Sequence, residues 1–225
     1  MKWNTVHWDP YFLCIVSLWT QIKTLHQKEV PFVADYDSMH MDVYHAIGCF
    51  AIAGGLHRPN PYKKGANKYV FPSLVYTTND RVTGKVTGVI KKLTDAATKK
   101  FNKAKGIRKG ANTFMAASPN VVEDEHRMLG GFARQDNSES YVTSVAAITM
   151  RPAQTLAGWP NADASKRVYP PDLDAVGAGN THKIGQLISR LYVISVPELK
   201  PGGPLEMLTK TMTAALIMYH PDMEK

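Results

Sequence analysis

The sequence predicts a mainly α-helical protein, multihelical with little or no β-sheet. Apolar residues recur at helical spacing along much of the chain, capping and breaking residues stand at the ends of those stretches, and strand-like alternation is scarce. With 225 residues, 44% of them hydrophobic, the chain is long enough to bury a core and is not a disordered tail. The core is expected over residues 8–150. Residues 1–150 then form the main unit, and residues 151–225 an irregular connection with a C-terminal helical extension.

Taking the elements in order, Asp9-Pro10 ahead of Tyr11–Trp19 reads as an N-cap with proline in the first turn, opening a helix over about 10–24. That helix is apolar nearly all round and therefore belongs in a core. A second helix is expected over about 39–53, apolar at Met41, Val43, Tyr44, Ile47, Phe50 and Ala51 and stopped by Gly54-Gly55. Residues 58–68, with two prolines and four cations, read as a loop, and Tyr69–Pro72 as a short extended piece. A third helix starts at Asn79-Asp80, with Val82, Val86, Val89, Ile90 and Leu93 on one face and lysines on the other. Helices follow over about 108–117 and 121–129; Ser118-Pro119-Asn120 separates and caps them, and Gly130-Gly131 ends the second. Asp136-Asn137-Ser138 offers another cap, which places Tyr141 in the first or second turn of a short helix. From Arg151 to Gly179 the chain is rich in Pro, Gly, Ala and Asp, Tyr169-Pro170-Pro171 included, and reads as irregular. Two last helices are expected at about 180–195 and 203–219, the second with an apolar stripe of Leu205, Leu208, Met212, Leu216 and Ile217. That stripe suits either a docking arm or intramolecular core.

Lys and Arg outnumber Asp and Glu by 27 to 19, a formal net charge of +8. The excess is local: Lys85, Lys91, Lys92, Lys99, Lys100, Lys103, Lys105, Arg108 and Lys109 stand against Asp95 alone within residues 85–109. A concentrated basic stretch favours a polyanionic partner, because neutralising phosphates releases their counterions. A merely solvated helix face is the plain alternative. Cys14 and Cys49 are too few for a disulfide scaffold or a four-thiolate zinc site and match no ligand spacing, so no metal site is expected and both read as buried, reduced thiols. The apolar run Tyr11–Trp19 is far short of a membrane span and lacks leader flanks, so an intracellular protein without a membrane partner is expected.

The most informative stretch is 105–141. Lys105-Gly106-Ile107-Arg108-Lys109-Gly110-Ala111, then Leu129-Gly130-Gly131-Phe132, then Tyr141, place a cation cluster, a glycine turn and one phenol close together in sequence. A guanidinium donates two bonds to a phosphate and stays charged, and a phenol can act as a nucleophile, so these groups suit a phosphodiester.

In order and spacing, Gly106–Phe114, Gly130-Gly131-Phe132 and Tyr141 resemble the C-terminal catalytic half of tyrosine recombinases, particularly the Crypton-like mobile-element recombinases. The family's pattern there runs approximately His-Ser-Ile-Arg-Lys-Gly-Ala-Ala-Thr, Ala-Gly-Trp, then Tyr. Val70–Leu74 resembles its Leu-Phe-Pro-Ser-Leu stretch, Asp9–Cys14 its Asp-Pro-x-x-Cys-Pro helix start and Tyr169-Pro170-Pro171 its Leu-Pro-Pro tail, so the likeness covers roughly residues 8–173. The resemblance implies a recombinase-like catalytic domain fragment, located in the nucleus, that binds duplex DNA. It implies strand exchange, in recombination or integration, through a 3′-phosphotyrosyl intermediate that needs no metal or other cofactor. Tyr141 is then the nucleophile, Arg108 the phosphate clamp and Lys105 a second cation at the reacting phosphate. Lys85, Lys91, Lys92, Lys99, Lys100, Lys103 and Lys109 are then contacts to the DNA, and the C-terminal helix docks between protomers in a homo-oligomer.

The chain also departs from the family. Lys105 stands where the family has histidine, and Phe132 where it has His or Trp, losing their N–H donor. The family's first catalytic arginine and hairpin lysine precede the Asp-Pro helix, a segment with no match here, which implies a fragment or decayed copy impaired in strand cleavage. Two alternatives follow: a catalytically inactive DNA-binding module, and a helical protein-interaction domain. At residue level, Tyr141 can be an ordinary packing phenol, and Arg108 can pair with Glu123, Asp124 or Glu125. Gly84 and Gly88 cost the third helix about 1 kcal/mol each relative to alanine, which close approach of another helix or of a DNA strand would explain.

Overall fold

In the computed structural model the described residues are 3–20, 27–35, 38, 42–53, 70, 84–92, 104–130, 145–162, 169–173, 181–191 and 196–223. Among them the protein is mainly helical, as the periodicity predicts, with one small antiparallel sheet. A 3-10 turn at Trp3–Thr5 leads into β1 (Val6–Asp9), β2 (Cys14–Thr20) and β3 (Gln27–Phe32), ordered β1-β2-β3 in the sheet. The helices are α1 (Val43–Ala53), α2 (residues 84–92), α3 (Ala104–Ala117), α4 (Glu123–Gly130), α5 (Val145–Leu156), α6 (Thr181–Leu191) and α7 (Glu206–Met223). A second 3-10 turn, Pro197–Leu199, precedes α7.

The helix expected over 10–24 is instead a hairpin and its second strand. Asp9 does act as a cap: its Oδ1 accepts the backbone N–H groups of Tyr11 at 2.8 Å and Phe12 at 2.9 Å. Leu13, however, takes a left-handed φ of 54°, which stops helical propagation and turns the chain back so that Cys14 pairs with Asp9. β2 is the central strand and is buried on both faces at Cys14, Ile15, Val16 and Ser17. An apolar run buried on both faces has no alternation to reveal it, so helix and strand read alike, and β-branched Ile15 and Val16 favour the strand.

Tyr44 ties α1 to this sheet. Ile15 of β2 lies opposite Phe32 of β3, and the Tyr44 hydroxyl sits between them, accepting the Ile15 N–H at 3.1 Å and donating to the Phe32 carbonyl at 2.9 Å. The phenol is fully buried, and burial holds its pKa well above the usual value, so it remains a neutral donor and acceptor. Asp42 caps the same helix: Oδ1 accepts the His45 N–H at 2.7 Å, and Oδ2 accepts the Asp35 N–H at 3.1 Å from the segment leaving β3. One carboxylate therefore fixes both the start of α1 and the exit from the sheet.

α7 packs along α1. Gly48 makes the approach possible, since a Cβ there would stand 3.1 Å from the Leu216 side chain and 3.4 Å from the Met212 carbonyl oxygen. Leu205, Leu208 and Met212 are completely buried, in one apolar cluster with Val16, Tyr44 and Trp3. The apolar stripe expected on the last helix is thus spent on intramolecular core at these positions. Threonines inside α7 are satisfied locally: Thr213 donates to the Thr209 carbonyl at 2.8 Å, and Thr209 to the Leu199 carbonyl at 3.0 Å.

The remaining helices bring further corrections. Residues 151–156, expected to be irregular, complete α5, with Pro152 inside it; the proline withholds one N–H from the carbonyl four residues back but leaves the rest of the turn intact. Gly158, at a φ of 81°, ends the turn that follows. α5 packs on β3 and against α3 and α4. On α2 the expected apolar stripe is mostly open: Ile90 is buried, whereas Val86 and Val89 are 39% and 58% exposed. Among the described residues no atom stands within 4 Å of a would-be Cβ at Gly84 or Gly88, so close packing against another described helix does not explain them.

Tyr44→Phe keeps the ring and strands the Ile15 N–H and Phe32 C=O in a buried site. It should lower unfolding free energy by roughly 2–4 kcal/mol with an unchanged denaturant slope. A loss below about 0.5 kcal/mol in urea titrations would show that the bridge is dispensable.

Candidate nucleic-acid interface

α3 carries the motif read at 105–111. Its initial residues include Lys105, Arg108 and Lys109, and its first turn contains no acidic residue. Residues 106–110 are exposed, whereas Met115, near the other end, is 2% exposed and anchors the helix. Cations near a helix N-terminus oppose the positive end of the backbone dipole, so helix stability does not account for them; an anion there would satisfy both. Ile107 and Phe114, each 57% exposed, flank Arg108 and Lys109, so the solvent face of α3 interleaves cations with an aromatic ring. On α2, Lys85, Lys91 and Lys92 are exposed. Lys85 and Lys92, seven residues apart, share one helical face.

Other expected site residues lie outside the described residues: Tyr141, Lys99, Lys100, Lys103 and Phe132. Lys105 is placed by its backbone within α3. The meeting of Arg108 with Tyr141 therefore remains an expectation carried by the motif.

Two of the carboxylates weighed as partners for Arg108 have other cations beside them. Glu123 lies 3.7 Å from Arg127, one turn on, and Glu125 lies 3.7 Å from the Nε of Arg151 on α5. Glu125 also accepts the Val122 N–H at 3.3 Å through Oε2 and so helps start α4, whereas the cap expected at Ser118–Asn120 does not form that start: Asn120 donates instead to the Pro160 carbonyl at 3.3 Å. Arg151 went unrecognised in the sequence because it precedes a proline in a stretch that reads as loop.

The two thiols separate clearly. Cys14 is buried in β2, and burial, assisted by the nearby Asp9 carboxylate, pushes its pKa from 9.0 to about 12. Cys49 lies one turn after His45 on α1, with its Sγ 3.4 Å from the imidazole Nε2; the i, i+4 spacing is the sequence signal for that contact. Burial raises the Cys49 thiol as well, so it stays protonated in this contact and is not an activated thiolate. Among the described residues no group of His, Cys, Asp or Glu is arranged to hold a metal ion, and no helix is long and apolar enough to cross a membrane.

The Cys14 shift sets a pH dependence. The unfolded thiol ionises near 9.0 and the folded one near 12, so its contribution to stability is complete below pH 9 and is lost as pH rises towards 12. Urea unfolding from pH 9 to 11 should show stability falling more steeply in the native sequence than in Cys14→Ala. Equal slopes would contradict the assigned shift. Set against known proteins, the chain matches no protein-family model, no curated protein and no solved structure.

Proposed function

We propose that the protein binds duplex DNA through the exposed basic faces of α2 and α3, and that strand exchange of the tyrosine-recombinase kind is the chemistry attached to that binding. The observation that carries the reading is the exposure of Lys85, Lys91, Lys92, Arg108 and Lys109, together with a first turn of α3 that holds Lys105 and no carboxylate. These helices offer positive charge where a phosphate can reach it, and Phe114 beside them offers a face for a sugar or base.

In this reading the Tyr141 phenol oxygen attacks a scissile phosphorus and forms a 3′-phosphotyrosyl bond as the P–O5′ bond breaks, the phenol giving up its proton to solvent and the departing 5′-oxygen taking one up to leave as a hydroxyl. The freed 5′-hydroxyl of a partner strand reverses the step, so the energy of the broken bond is kept in the covalent intermediate. Arg108 and Lys105 hold the non-bridging oxygens as negative charge builds on them. The protein then works in the nucleus, where its substrate is.

A second reading, binding without cleavage, draws support from β2. The resemblance implies a helix beginning at Asp9, and a strand stands there instead, so the scaffold departs from the recombinase pattern at one of its matched segments.

Fluorescence anisotropy with a duplex should show affinity falling with salt at a log–log slope of about −4 to −5 for five phosphate contacts. The triple variant Lys85→Gln, Lys91→Gln, Lys92→Gln should reduce that slope by about 2 to 3. A duplex nicked so that the leaving strand diffuses away should trap a covalent adduct that disappears in Tyr141→Phe. Salt-sensitive binding with no adduct leaves the binding module alone, and no binding at low salt overturns the proposal.

A further inference from the structure

We infer that a second site, independent of the DNA reading, takes an arginine or lysine side chain presented on a peptide. A cleft of about 620 Å³ opens between the segment leaving β3, the turn after α5, residues 169–172 and the last turns of α7. Its lining includes three aromatic residues, Trp159, Tyr169 and Tyr219, and two acidic ones, Asp35 and Asp172. No Lys, Arg or His is among its described lining residues.

The walls are held in place. The Trp159 indole donates to the Ala34 carbonyl at 2.8 Å, which fixes the ring against the strand exit. Tyr219 meets His45 edge to face, with ring centroids 5.4 Å apart and planes at 78°. Asp35 accepts the Ser38 N–H at 2.8 Å through Oδ1, which orients its carboxylate. Tyr169 is 74% exposed, and Pro170-Pro171 restrict the backbone that carries it, so the ring stands at the mouth on a stiff support.

Such a lining selects for positive charge. Ring faces carry the negative part of the aromatic quadrupole, and carboxylates add full charges, so a guanidinium or ammonium gains from both. A phosphate would be repelled by the same carboxylates, which separates this cleft from the basic faces of α2 and α3. The volume decides between a free cation and a peptide: about 620 Å³ far exceeds one ammonium or guanidinium group and matches a long side chain with its neighbouring residues. Met218, 47% exposed at the same cleft, offers apolar surface for the methylene stem.

The test titrates the full chain with acetyl-Gly-Ser-Arg-Ser-Gly-amide, its lysine counterpart and its glutamine counterpart, reading calorimetry and the indole N–H resonances. The two cationic peptides should bind about tenfold more tightly than the neutral one and shift the Trp159 signal, and added salt should weaken them. Tyr169→Ala and Asp172→Asn, both at exposed positions, should leave the melting temperature unchanged while each lowers affinity for the cationic peptides about fivefold or more. Equal affinity for the glutamine peptide, an unmoved Trp159 signal, or variants that bind as well as the native sequence would overturn the inference. Duplex binding measured on the same variants should be unaffected, so failure of one site is distinguishable from failure of the other.

Discussion

One buried hydroxyl connects the two halves of the core. The Tyr44 oxygen sits between the Ile15 N–H and the Phe32 C=O, on two residues that face each other across β2 and β3. It completes the hydrogen bonding of two strands with a group that belongs to a helix, so sheet and helix cannot shift independently without leaving buried polar groups unpaired. Asp42 adds a second tie from the same helix to Asp35. With α1 fixed in this way, the close contact at Gly48 places α7, and the buried face of α7 closes the apolar cluster.

Charge is distributed to match. Groups inside the core are held neutral by burial: the Tyr44 phenol and the Cys14 thiol are both pushed well above their ordinary ionisation ranges. The formal excess of eight positive charges is displayed instead at sites such as the outer faces of α2 and α3. α2 contributes little to the core, since Ile90 is buried but Val86 and Val89 are not, and its glycines meet no atom of the described residues within 4 Å of a would-be Cβ. A helix built this way gains little from burial and presents cations and glycine backbone to solvent, the arrangement on which the proposed contact with phosphates rests. The cleft beside α7 has the opposite sign, with carboxylates and rings where the helices have lysines.

Several elements were legible before any coordinates. α1, α6 and α7 lie where apolar spacing places them, and the Ser118-Pro119-Asn120 break separates α3 from α4 as expected. β2 was not legible, because a central strand buried on both faces shows a continuous apolar run and Asp9 makes the same two hydrogen bonds at a hairpin that it would make at a helix start. The end of α5 was missed because Pro152 reads as a stop, yet a proline removes only one backbone donor when its neighbours are packed. At the candidate interface the cations of α2 and α3 could be read as charge, and their exposure is a property of the fold. Nothing in the sequence brings Asp35, Trp159, Tyr169, Asp172 and Tyr219 together, since the cleft draws on segments far apart along the chain.

By itself the sequence determined the helical character, the concentration of positive charge over residues 85–109 and the chemical groups available to meet a phosphate, because composition, periodicity and capping act over a few neighbouring residues. The tertiary structure alone decided that residues 14–20 are a strand, that the last helix lies in the core and that rings and carboxylates from separate segments share a cleft. Those outcomes depend on which distant surfaces bury one another, and local propensity carries no record of that choice.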